Sequence, residues 1–101
     1  MKLEVLFFEG CPSHARLLPT LRELAGHHGA ELVVIRVETP EHAGQARFLG
    51  SPSVRVDGRD VEPGADARTD FGMKCRLYRN DEGQSGVPPR EWIARALDAA
   101  R

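Results

Sequence analysis

Apolar positions along the chain change their period several times, and each change marks an element. Leu3 to Phe8 is nearly all apolar, with valine and phenylalanine prominent, which predicts a strand covered on both faces. Leu17, Leu18, Leu21, Leu24 and Ala25 then recur at helical spacing, with Arg16, Arg22 and Glu23 on the opposite side. A helix is expected from about Ser13 to His28. Pro19 falls inside it, removes a backbone hydrogen bond and clashes with the carbonyl of Ala15, so a kink is expected; Gly29 supplies the stop. Leu32 to Val37 reads as a second buried strand, joined to the first in parallel by a right-handed crossover. Thr39-Pro40 is an N-cap followed by a first-turn proline, and Ala43, Ala46, Phe48 and Leu49 predict a short helix that Gly50 ends.

Val54-Arg55-Val56 and Arg59-Asp60-Val61 flank Asp57-Gly58, a strong signal for a two-residue hairpin turn. That turn sets Val54 opposite Val61 and Arg55 opposite Asp60. From Glu62 to Pro88 the chain is rich in Gly, Pro and charge, with a small apolar island from Met73 to Tyr78; a connection this long is usually functional or disordered. Pro89 to Ala100 closes the pattern with Trp92, Ile93, Ala96 and Leu97 on one helix face. The order is βαβαββα, an α/β pattern with no internal repeat or linker.

The length of 101 residues suits one domain with one core. Fourteen basic and fifteen acidic residues leave a net charge of −1, which gives no electrostatic case for nucleic acid or an anionic membrane as partner. Near the N-terminus Lys2 is followed by Glu4, and only Val5 to Phe8 is unbroken apolar chain, too short for a signal-peptide core or a membrane span. The expected location is the cytoplasm. Two cysteines, Cys11 and Cys75, are too few for a secreted disulfide scaffold.

Cys11 is the residue where this pattern meets chemistry. It follows Phe7-Phe8-Glu9-Gly10 at the end of the first strand and precedes Pro12-Ser13-His14, the start of the first helix. Unpaired N–H groups and the positive end of the helix dipole favour an anion there, so the thiol is expected to ionise more readily than a free one. His14 lies three residues on, along the same helix face, where an imidazolium would stabilise the thiolate or give a proton to a leaving thiol. The alternative for His14 is a solvated polar residue in the first turn. His27 and His28 sit at the helix end, where positive charge is tolerated, His42 is a first-turn helix residue without a nearby partner in the sequence, and Tyr78 and Trp92 read as packing residues.

The element order, a cysteine between the first strand and helix, Pro19 at its offset from Cys11, and Ser51-Pro52 before the hairpin together resemble the thioredoxin fold. Gly-Cys-Pro, Leu-Gly-Ser-Pro-Ser, Val-Asp-Gly-Arg-Asp-Val-Glu-Pro, Cys-Arg-Leu-Tyr and Gly-Val-Pro-Pro-Arg-Glu-Trp resemble a group of short bacterial thioredoxin-like proteins, some of them labelled alkylmercury-lyase-like. The resemblance implies a mixed four-stranded sheet with helices on both faces. It also implies that Pro52 is a cis-proline facing Cys11, presenting the backbone of Ser51 or Ser53 to an extended substrate chain. Two features depart from the thioredoxin pattern. His14 stands where the second motif cysteine would be, and Gly10 replaces a frequent tryptophan, so dithiol exchange within the motif is impossible; the Cys-Pro step is closer to glutaredoxins. In such a fold, residues 62 to 88 start at the active-site end and carry Cys75 over it, where the two thiols could meet if their Cα atoms come within about 7 Å.

Three functions remain open to these residues. The leading one is a thiol-disulfide oxidoreductase acting on a protein or small disulfide without a cofactor, with Cys11 as nucleophile and Cys75 resolving the mixed disulfide or sulfenic acid. The alternative for Cys75 is a small buried hydrophobe. A second function is soft-metal binding by Cys11, His14 and Cys75, ligands suited to Zn²⁺, Cu(I) or Hg²⁺, with organomercurial cleavage as its catalytic extension. Glu62, Asp66 and Asp70 are acids in the covering segment, and nothing selects among them. The third is a non-catalytic scaffold that binds a partner through the covering loop and the groove at Pro52. Oligomeric state is not encoded in any of these patterns.

Overall fold

The computed structural model describes residues 1–101. The elements are β1 (Lys2–Phe7), α1 (Pro12–His28), β2 (Glu31–Arg36), α2 (Pro40–Gln45), β3 (Ser53–Val56), β4 (Arg59–Asp60), a 3-10 turn (Ala65–Ala67), β5 (Tyr78–Asn80), β6 (Gly83–Ser85) and α3 (Arg90–Ala99). Four strands form a mixed sheet in the order β2-β1-β3-β4, with β1 parallel to β2 and antiparallel to β3. The Cα radius of gyration is 12.6 Å, as expected for a compact chain of this length, about 13 Å.

Alternation along β1 distributes the core. Leu3 and Val5 face α1 and α3, where they pack with Leu17, Leu21, Leu24, Val54, Val56, Ile93 and Leu97. Leu6 faces the other way and meets Val37, Phe48 and Ala43 of α2. Helices therefore cover both faces of β1, the larger cluster lying on the α1 and α3 side. Each fully buried leucine or isoleucine contributes roughly 1.5–3 kcal/mol relative to its exposed state. His28 adds a polar tie between the helices: its Nδ1 meets the Leu24 carbonyl at 3.0 Å and its Nε2 meets the Asp98 carboxylate of α3 at 3.1 Å.

Several expectations change on contact with the tertiary structure. β2 is an edge strand, not a buried one, and Val34 is 49 % exposed, because only its β1 side is paired and covered. α2 stops at Gln45, with Arg47 in the left-handed region at φ 55°, so Phe48 and Leu49 are buried from irregular chain instead of helix. α1 continues through Pro19 to His28 and ends on Gly29 at φ 67°. The hairpin keeps its expected register: Arg55 faces Asp60, and the Val61 N–H donates to the Val54 carbonyl at 3.1 Å. The charges do not follow that register. Arg55 donates to the carbonyls of Ala46 and Arg47, while Asp60 is taken by Arg76.

Residues 62–88 include the 3-10 turn and the β5–β6 hairpin, and their middle portion is bonded to the segment between α2 and β3. The Gly72 N–H donates to Phe48 O at 2.9 Å, Ser51 N–H to Lys74 O at 2.8 Å and Arg76 N–H to Ser51 O at 3.0 Å. This places Cys75 beside Ser51 as an isolated parallel bridge. Gly50 makes the approach possible. Its φ is +125°, and a Cβ there would lie 3.0 Å from both Arg76 Cβ and Lys74 O.

Candidate functional site

Cys11 occupies the N-cap position of α1, with Pro12 opening the helix. The turn that delivers it is short: Gly10 adopts φ +90° and the Cys11 N–H returns to Phe8 O at 3.3 Å. The residue is 8 % exposed and its thiol is free. Around it lies a shallow pocket of about 310 Å³ formed by residues 7 to 11, His14 and Arg36. An ion pair between Arg36 and Glu9 lies at this pocket.

His14 is neither an imidazolium beside the thiol nor a freely solvated residue. Its ring stacks on Phe7 with centroids 3.7 Å apart and planes within 2°, and its Nδ1 is buried without a hydrogen-bond partner. Burial lowers its pKa below the usual 6.5, so the ring is neutral at pH 7. In that state it contributes a proton acceptor or donor to the Cys11 pocket, not a fixed positive charge.

The Ser51–Pro52 peptide bond is cis, the isomer implied by the resemblance. Ser51, Pro52 and Ser53 are buried and committed to internal bonds. Ser51 Oγ accepts from the Phe8 N–H at 3.3 Å, fastening the segment before β3 to the turn that carries Cys11. Ser53 Oγ donates to Gly50 O at 2.6 Å and accepts from Arg76 at 3.0 Å. The backbone N–H and C=O of Ser51 are paired with residues 74 and 76, so the chain itself lies along the edge that the resemblance assigns to an extended substrate. Tyr78 closes the same region by donating its hydroxyl to Pro52 O at 2.5 Å. Its burial pushes the phenol well above its ordinary pKa and keeps it a donor.

Cys75 is exposed, which removes its reading as a buried hydrophobe. It lines a cavity of about 680 Å³ with Leu49, Glu62, Arg68, Arg76 and Arg79, separate from the pocket at Cys11. Both cysteines are free, and no three or more His, Cys, Asp or Glu side chains are grouped to hold a metal ion. Cys11 and His14 thus share a pocket that Cys75 does not line.

Arg76 is the residue that sequence reasoning missed. Its side chain is 1 % exposed, donates to both oxygens of Asp60 at 2.7 and 2.9 Å, and reaches Glu62 at 3.2 Å. Its guanidinium also lies 4.6 Å from the centre of the Tyr78 ring. Burial works against the charge, but the Asp60 hydrogen bonds and the nearby carboxylates outweigh it, and the pKa rises. The available signal was an arginine inside the apolar island from Met73 to Tyr78, a position where a charge is buried only when paired.

Compared with protein-family profiles, curated proteins and solved structures, the chain matches none. Its geometry defines a mixed α/β protein with a thiol at the junction of a central strand and a helix. No helix is long and apolar enough to cross a membrane.

Proposed function

We propose that this chain is a thioredoxin-like thiol-disulfide redox protein with Cys11 as its nucleophile. The placement of Cys11 carries this reading: a free thiol at the N-cap of α1, at the end of the central strand, opening on a pocket shared with His14. The orphan N–H groups and the positive dipole end of a seventeen-residue helix lie at that position. Deprotonated Cys11 attacks one sulfur of a substrate disulfide. The substrate S–S bond breaks, a mixed disulfide forms on Cys11, and the second substrate sulfur leaves as a thiolate. The neutral imidazole of His14 takes the proton that the Cys11 thiol loses and, as imidazolium, returns it to the leaving thiolate.

A second thiol then releases the substrate. Cys75 takes this role if residues 72–78 bring it across to Cys11; otherwise a small external thiol does. Reduction of a disulfide substrate by dithiothreitol-regenerated protein is expected to be lost in Cys11→Ser. In Cys75→Ser, accumulation of a mixed disulfide on Cys11 supports the resolving role, whereas unchanged turnover assigns it to the external thiol. Full activity in Cys11→Ser ends the redox reading.

A further inference from the structure

α3 covers the sheet with only part of its circumference. Ile93 and Leu97 enter the core, while Trp92, Ala96 and Ala99 recur at helical spacing on the neighbouring face, beside the β3–β4 hairpin. No strand lies beyond β4, which is two residues long. A cleft of about 420 Å³ remains between α3 and the hairpin, walled on the hairpin side by Val56, Val61 and Pro63. Its size is that of a small-molecule site, roughly 300–1,000 Å³, and it shares no residue with the pocket at Cys11. Trp92 is a fixed part of the wall: its ring meets that of the buried Tyr78 edge-on with centroids 6.4 Å apart, and Tyr78 is anchored on Pro52 O.

The charges that this cleft leaves free are of one sign. Asp57 accepts from the Lys2 N–H at 2.8 Å, and both Asp60 oxygens are held by Arg76. Arg95, exposed on α3, makes no ion pair, and the acid one turn further on, Asp98, is bound to His28. Arg59 touches only Asp66, at 3.5 Å between two exposed side chains, a contact that water and salt readily replace. The free donors at this apolar cleft are therefore two arginines, one from each wall.

We infer that the cleft between α3 and the β3–β4 hairpin binds a small aromatic carboxylate, with its ring against Trp92 and the two valines and its carboxylate on Arg95 and Arg59. The planar guanidinium fork matches a carboxylate, and the apolar walls favour a ring over water. A neutral ring gains the walls alone, and a small hydrophilic anion gains the arginines alone. This site is independent of the reaction proposed for Cys11.

The test is an NMR titration of the full-length protein with 2-naphthoate, its neutral analogue 2-naphthalenemethanol, and acetate. Trp92 is the single tryptophan, so its indole N–H gives one unambiguous signal beside the backbone amides. Saturable shifts are expected at Trp92, Val61 and Ala96 with the two aromatic probes and none with acetate, the naphthoate binding about tenfold more tightly than the alcohol. The double substitution Arg59→Gln and Arg95→Gln, at two exposed positions, should bring the two affinities together, and Ala99→Leu, also exposed, should weaken both by filling the cleft. Equal affinities for acid and alcohol in the wild type, a preference that survives the double substitution, or shifts centred elsewhere in the fold would overturn the assignment. So would a cleft already closed by a second copy, seen as a dimer that Ala99→Leu dissociates.

Discussion

At the scale of single residues, Arg76 and His14 are two titratable side chains that the fold takes out of water. Arg76 is charged, buried and bidentate to Asp60, with Glu62 and Ser53 completing its contacts. Removing one member of such a pair leaves the other charge buried without a partner, so Arg76→Met is expected to destabilise the fold by about 3–5 kcal/mol in urea denaturation. A loss below about 1 kcal/mol, the scale of an exposed ion pair, would contradict the burial. His14 has its folded pKa lowered by burial, whereas an unfolded histidine titrates near 6.5. Below that pH the unfolded chain binds the extra proton, so this contribution to stability is present above about 6.5 and is lost as pH falls through the folded value. His14→Phe keeps an aromatic ring against Phe7 and removes the titration. Between pH 7.5 and 5.5 its stability is expected to drop less than that of the wild type, and equal drops would place the His14 ring in solvent.

At the scale of elements, the crossing of residues 72–78 over the segment before β3 is the least tolerant feature. Gly50→Ala adds a Cβ against Arg76 Cβ and Lys74 O at a φ of +125°, and is expected to cost on the order of 1–3 kcal/mol, with exchange protection lost first at the Arg76 and Ser51 amides. Loss spread evenly over all strands would contradict a local role. α2 depends on its start: Thr39 Oγ1 accepts from the His42 N–H at 3.0 Å. Thr39→Ala should cost about 1 kcal/mol by thermal or chemical unfolding, and no measurable change would mean that packing of Ala43 alone holds the helix.

At the scale of the whole molecule, what the sequence disclosed divides by distance along the chain. α1 and α3 follow from periodicity in contiguous residues, and the β3–β4 register follows from Asp57-Gly58, since a two-residue turn admits one pairing. The placement of Cys11 at a helix N-cap is equally local, set by Gly10 before it and Pro12 after it. The edge position of β2 is not local: Val34 has the composition of a buried strand residue, and only the strand order leaves it half exposed. Arg55 and Asp60 pair by register but not by charge, because Arg76, 16 positions beyond Asp60, fits its carboxylate with two hydrogen bonds. The surroundings of Cys75 were hidden for the same reason, being assembled from separate stretches of chain between Leu49 and Trp92.

Cys11 as a nucleophile built by the fold is the central claim, and its capture by a limiting neutral disulfide tests it most directly. Wild-type protein is exposed briefly to 2-hydroxyethyl disulfide, remaining thiols are alkylated, and Cys11 and Cys75 are quantified separately by non-reducing peptide mapping, folded and in urea. Mixed disulfide on Cys11 should form faster in the folded protein than in the unfolded chain, because the helix N-terminus exists only in the fold. Cys11 that stays reduced while folded, and reacts only after unfolding, would show that its burial seals the thiol instead of activating it.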